Sequence, residues 1–354
     1  MVNGSEFTIR VCGGREIGTR LEAWEAWYEG RGTSSLSYHP RWLAVLRDGL
    51  GHLPYCVEAT GGKRVVGLLP LALVKSCLFG RFLVGLPYLN FGGAAAESPE
   101  VAAALLDQAV ALADQLDVKH LELRHEAEVA HPALAQRLES KVHMRLPLPA
   151  EAGQLWDGFK PSVRNQIRKG QKQEFTVSWG GEERLDDFYA VFSRNMRDLG
   201  TPVFSRRLFG CVLREFRERA EFCVVYTGGQ EPIAAAMLCH GRGVTEVPSA
   251  SSLREFNSTN ANMLMYWELL RRALQRGQHT FDFGRSSIDS NTYRFKKQWG
   301  AQPHPAIWQY YVRRGEVGDM RPDNRKYQLA IRLWQRLPLA VANALGPAIV
   351  RGIP

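Results

Sequence analysis

The chain has 354 residues, 45% of them hydrophobic and 23% charged, with a formal net charge of +9. That length predicts about two domains, and the composition is that of a soluble globular protein rather than a disordered one. No apolar run reaches the roughly 18 residues of a membrane span and no basic-then-apolar leader marks secretion, so a cytoplasmic protein is expected. The positive charge points to an anionic partner: a phosphate-bearing cofactor, a nucleic acid or an anionic membrane face. A solvated basic surface is the plainer alternative.

In chain order, residues 42–46 read as a helix. Residues 54–73 then give an apolar run, a Gly61-Gly62 turn and a second apolar run, the pattern of a β-hairpin. A third apolar, small-residue segment covers 84–93, an amphipathic helix 99–116 and an alternating strand 120–124. After residue 150 the series repeats, with Cys223 standing where Cys56 stood and Thr227-Gly228-Gly229 where Thr60-Gly61-Gly62 stood. The second copy comprises a helix at 209–213, a hairpin at 221–240, a segment at 244–252, a helix at 260–276 and a strand at 280–284. Met263, Trp267, Leu270 and Leu274 mark one apolar face of that helix. Asn257, Ser258 or Thr259 can cap it, and Gly277 lies past its end.

Between the copies, a helix beginning at a Ser162 cap sets Arg164, Arg168, Gln171 and Lys172 on one narrow arc beside Val163 and Ile167. Such a helix either holds phosphate or presents a solvated basic face. After Arg313, Pro322-Asp323-Asn324 breaks the chain, residues 326–336 read as a basic amphipathic helix, and 337–350 as an apolar arm too short to cross a bilayer. The expected fold is α+β with mixed strand pairing. Its expected bounds are 1–150 for the first lobe, 151–315 for the linker helix and second lobe, and 316–354 for an amphipathic extension that packs on the fold or touches the inner membrane face. The six cysteines (Cys12, Cys56, Cys77, Cys211, Cys223, Cys239) form no CxxC pair, so neither a metal site nor a disulfide framework is expected.

Residues 281–300 read Phe-Asp-Phe-Gly-Arg-Ser-Ser-Ile-Asp-Ser-Asn-Thr-Tyr-Arg-Phe-Lys-Lys-Gln-Trp-Gly. This resembles the signature of FemAB-like proteins, a strand ending in Asp-Phe-Gly-Arg-Ser followed by Tyr-x-Phe-Lys-x-x-Trp-Gly. It is most similar to the FemAB-related group associated with PEP-CTERM and exopolysaccharide loci. The segments at 86–93, 200–203 and 337–347 and the Arg164 helix agree with that resemblance, which spans nearly the whole chain. It implies two tandem GNAT-like (acyl-CoA N-acyltransferase) lobes with mixed central sheets and flanking helices. It also implies acyl transfer, from aminoacyl-tRNA in the cell-wall branch or from acyl-CoA in more typical GNAT enzymes. The glycine-rich cofactor loop of the latter is missing here, where residues 254–262 read Arg-Glu-Phe-Asn-Ser-Thr-Asn-Ala-Asn. Asn257, Thr259 and Asn260 are left as candidates for holding a pyrophosphate at the helix start.

Acyl transfer needs a positioned acceptor, a base and donors for the developing oxyanion. Lys296, in the Phe-Lys-x-x-Trp-Gly element, is the candidate cation beside the reacting carbonyl. Asp282, facing opposite to Phe281 and Phe283, is either a general base or a carboxylate paired with an arginine; Glu122 holds its place in the first copy. Tyr293 either meets substrate or packs. Arg285, at a strand end, suits a carboxylate or phosphate, with Arg294, Arg164 and Arg168 as further substrate-binding candidates and Asn90 and Ser251 as cleft-lining ones. No Gly-x-Ser-x-Gly or reactive-cysteine setting is present, so direct transfer is expected, without metal.

Three functional readings follow. The first is an acyltransferase acting on an amine or hydroxyl of an anionic small-molecule, lipid-linked or sugar-linked acceptor for the cell envelope. The second is an aminoacyl-tRNA-dependent transferase, against which the absence of a long coiled-coil insertion counts. The third is a basic nucleic-acid-binding or scaffold protein without catalysis, disfavoured because the basic residues do not interleave with aromatics along one module.

Overall fold

The computed structural model describes residues 7–32, 34–76, 79–315 and 325–353. Cys77 and the break at Pro322-Asp323-Asn324 lie outside the described residues.

The first half contains β1 (Thr8–Gly13), α1 (Glu16–Glu29), α2 (Trp42–Leu50), β2 (Leu53–Gly61), β3 (Arg64–Ser76), β4 (Gly80–Val84), β5 (Ala95–Ala96), α3 (Pro99–Gln115), β6 (His120–His125), β7 (Gln136–Leu138) and β8 (Lys141–Pro147). The second contains α4 (Ala152–Gly158), α5 (Pro161–Gln171), β9 (Thr176–Gly180), α6 (Leu185–Leu199), α7 (Arg206–Phe216), β10 (Ala220–Tyr226), β11 (Pro232–His240), β12 (Val244–Ser252), α8 (Ala261–Gln275), β13 (Thr280–Ser287), α9 (Asn291–Gln298), β14 (Gln302–Pro305) and β15 (Ile307–Val312). The tail adds α10 (Arg325–Trp334) and α11 (Leu339–Val350).

The repeat read in the sequence is a repeat of strand order. One sheet runs β1-β2-β3-β4-β6-β15-β7 and the other, read the same way, β9-β10-β11-β12-β13-β8-β14. Each has one parallel pair, β4 with β6 and β12 with β13, among antiparallel neighbours. The two sheets exchange strands: β8, from before residue 150, enters the second sheet, and β15, which follows the second sheet's last strand, enters the first. Neither sheet is complete without the other half of the chain.

Apolar packing joins the halves further. The equivalent helices α2 and α7 pack together, with Gly49 against Leu208, and one buried cluster combines Trp42, Leu43 and Leu46 with Phe188, Phe209 and Phe222. Burying such side chains stabilises by about 1.5–3 kcal/mol each. A second cluster under the second sheet holds Trp267, Phe281 and Trp299.

Two expectations are corrected. Residues 84–93 do not repeat β12: β4 ends at Val84 and the chain folds back through 85–93, with Gly85 and Gly92 so close that a Cβ on either would overlap the other's carbonyl. Leu86 and Tyr88 take positive φ of 44° and 72° in this turn, a conformation side chains resist. Ser162 is not the cap of α5; the cap position is Lys160 and Pro161 is the first helical residue, where its fixed φ suits the helix and its missing N–H costs nothing.

Candidate active site

The pairing of β12 with β13 sets the site. It lasts three residues, ending at Glu246 opposite Asp282, after which the strands part. At that point β13 leaves its register with β8 between Asp282 and Arg285, and Gly284 takes φ 77°, a value glycine adopts without strain. The parting strands open a cavity of about 350 Å³. Its walls are Glu246, Val247, Gly284, Arg285 and Lys296 from the second half and Ser37, Tyr88 and Asn90 from the first.

Lys296 reaches this cavity from α9, whose start is capped by Ser290. Its Nζ donates to the carbonyls of Gly284 (3.0 Å) and Arg285 (2.9 Å). An ammonium has three donors, so one remains for a ligand among the described residues. Burial lowers the Lys296 pKa to about 8, with Asp282 opposing and Arg285 reinforcing the shift. Arg285 also lines the cavity; its guanidinium lies 4.7 Å from the Trp308 ring centre, and one of its nitrogens is buried without a hydrogen-bond partner among the described residues. Burial, aided by Arg124, lowers its pKa to about 9.

Asp282 is paired with an arginine, one of the two readings its strand position allowed, although the partner is Arg145. It is fully buried, does not line the cavity, accepts the Gly284 N–H (2.7 Å) and is held by Arg145 Nε (3.1 Å). Burial raises its pKa and Arg145 opposes the shift. The same Gly284 gives its N–H to Asp282 and its carbonyl to Lys296. Glu122, its counterpart, is paired with Arg124 (2.7 Å) inside the first half.

The carboxylate that does face the cavity is Glu246, which the sequence reading passed over. Its oxygens accept from Ser35 Oγ (2.6 Å), Ser37 N (3.2 Å), Ser37 Oγ (3.0 Å) and Asn90 Nδ2 (3.2 Å). All four donors belong to the first half and none is a cation. Burial, with the charge of Asp282 opposite, raises its pKa above the ordinary carboxylate value. The available signal was a lone acid in an otherwise uncharged strand, level with Asp282.

The remaining candidates stand apart from the cavity. Tyr293 packs into the second cluster, with Lys297 Nζ 5.6 Å from its ring centre. Arg294, on the same short helix, is exposed. Ser251 is buried, with Asn195 Nδ2 donating to its Oγ (3.0 Å). On α5, Arg164 leans toward Asp157 (3.9 Å) and exposed Arg168 covers Trp156 (5.3 Å); that helix packs on α8.

The start of α8 does not fit a pyrophosphate. Thr259 Oγ1 accepts the Ala261 N–H (3.3 Å) and donates to Phe256 O (2.6 Å). The Met263 and Leu264 N–H groups both go to Asn260 O (3.0 Å each), and Gly170 of α5 lies against that same carbonyl. Asn260 itself takes φ 62° and Asn257 is exposed beside it. The donors that make a helix start an anion site are largely spent within the chain.

Residues 158–297 match the family model described as Acetyltransferase (GNAT) domain. No curated protein matches the sequence. Among solved structures the chain is similar to FemX, with a TM-score of 0.65 and 15% identity, covering 88% of this chain and 98% of that one. It is also similar to L-PGS from Bacillus licheniformis, at 0.55 and 12% over 90% and 97% of the two chains. A tandem GNAT protein from the clavulanic acid biosynthesis pathway gives 0.53 and 13% over 88% and 100%. The architecture is therefore α+β, two tandem GNAT-like lobes with mixed sheets and flanking helices.

Proposed function

We propose that the chain is an acyltransferase of the FemAB-like type, moving an acyl or aminoacyl group directly onto an amine or hydroxyl in the cavity between its lobes. The carrying observation is the meeting there of Glu246, held by first-half donors, with Lys296 and Arg285 from the second half. The acceptor N–H or O–H gives its proton to Glu246 as its lone pair attacks the acyl carbonyl carbon. The carbonyl oxygen takes up negative charge beside the third N–H of Lys296, where a preorganised donor acts most strongly. The bond to the leaving oxygen or sulfur then breaks, that atom leaves with the electron pair, and the proton passes to it from Glu246. Arg285 binds an anionic group of a substrate.

The acceptor class is an anionic, lipid-linked or sugar-linked precursor made in the cytoplasm for the cell envelope or an exopolysaccharide, the setting the PEP-CTERM-associated resemblance implies. The misfit at the start of α8 weighs against a coenzyme A donor gripped there, and the basic outer side of α5 (Arg168, Lys169 and Lys172 exposed) favours aminoacyl-tRNA as the second reading. A scaffold role gives no reason for two desolvated, opposite charges lining one cavity.

The test offers acyl-CoA thioesters and aminoacyl-tRNA separately as donors, with a pool of envelope precursors as acceptors, and reads mass increments. Transfer from one donor class is expected. No transfer from either class would overturn the transferase reading.

A further inference from the structure

Helices α10 and α11 carry an apolar face that none of the described residues covers. Leu329, Leu333, Val341 and Leu345 are 67%, 57%, 40% and 49% exposed. On α11 the outward positions Ala340, Val341, Ala344, Leu345 and Ala348 are all exposed and all apolar, while Ala342, Gly346 and Val350 face inward. The patch continues onto the body of the protein: exposed Leu199 precedes Gly200, which lies against Ile331, and exposed Leu53 follows closely on Gly51, which lies against Arg351.

This face is fixed in place rather than frayed. Gly346 sits against Val203, Arg197 Nη1 donates to Leu337 O (3.0 Å), and the Tyr88 hydroxyl donates to Arg351 O (2.6 Å). Its charge is one-sided. Residues 325–354 contain Arg325, Lys326, Arg332, Arg336 and Arg351 and no Asp or Glu, and Arg332 on α10 and Arg336 just past its end are both exposed.

We propose that the α10–α11 face docks on an anionic lipid bilayer, with its leucines at the boundary of headgroups and acyl chains and Arg332 and Arg336 on lipid phosphates. An apolar helical face flanked by basic residues is the form that lies in the plane of such an interface. Neither helix is long and apolar enough to cross it. A second copy of the chain is the poorer occupant, because a twofold contact through this face would set cations against cations with no carboxylate from the segment between them. Tyr88, which bonds Arg351, also lines the cavity, so docking would bring the cavity close to the membrane surface, where a lipid-linked acceptor resides. That last step rests on the transferase reading; the docking itself does not.

Flotation of the full chain with vesicles tests the docking without turnover. Equimolar phosphatidylcholine–phosphatidylglycerol vesicles should carry the protein, and pure phosphatidylcholine vesicles should carry far less. Arg332→Ala with Arg336→Ala should weaken binding to the mixed vesicles about 25-fold. Leu329→Glu with Leu333→Glu should abolish it, both with an unchanged melting temperature because the side chains are exposed. Failure of the wild type to float with the mixed vesicles overturns the proposal. So does a solution dimer that the leucine variant splits into monomers.

Discussion

Lys296→Met is expected to lower the turnover number by about 10²–10³-fold, the usual effect of removing one oxyanion donor. Methionine keeps the length and apolar stem of lysine, so α9 stays packed. What disappears is a cation held by two carbonyls, those of Gly284 and Arg285, with one N–H left over. Those two carbonyls lose their partner, which costs about 1–3 kcal/mol, so the melting temperature falls while the fold persists. Steady-state kinetics and thermal unfolding of the same sample separate the two effects. Turnover that follows only the small loss of stability would remove Lys296 from the chemistry.

Glu246→Gln should be comparably severe, about 10²–10⁴-fold in turnover, because a general base is lost while the shape is kept. The amide can still accept from Ser37 and Asn90, so the contact between the halves persists. Ser37→Ala separates proton transfer from that contact: it removes one hydrogen bond to Glu246, worth about 1 kcal/mol, and should cost only about fivefold. Equal losses in Glu246→Gln and Ser37→Ala would mean that Glu246 holds the halves together and takes no proton.

The sequence revealed the duplication because hairpin patterning is local. The apolar runs on either side of Gly61-Gly62 and Gly228-Gly229 formed the paired strands β2–β3 and β10–β11. It could not reveal that β8 and β15 change sheets, since each strand's periodicity is the same whichever neighbour it pairs with. Lys296 and Arg285 stood out through the Asp-Phe-Gly-Arg-Ser and Phe-Lys-x-x-Trp-Gly elements. Glu246 did not, because its place is fixed by partners from Ser35 to Asn90, distant in the chain. Strand alternation left Asp282 as either a general base or a carboxylate paired with an arginine. Its burial against Arg145 and the Gly284 N–H depends on the register of β8 with β13. Tyr293 shares α9 with Lys296, and only the packing of that helix decides which of the two meets the cavity.

The pH dependence of kcat/KM tests most directly whether these two groups do the work. Glu246 must be ionised to take the proton, so the rate should rise with pH through a pKa above the ordinary carboxylate value. Lys296 must keep its charge, so the rate should fall as pH passes about 8. In Lys296→Arg the alkaline limb should move up from about 8 to about 9, where the buried Arg285 guanidinium loses its charge. An alkaline limb that stays in place in that variant, or a wild-type profile flat from mildly acid to alkaline pH, would contradict the assignment of the chemistry to this cavity.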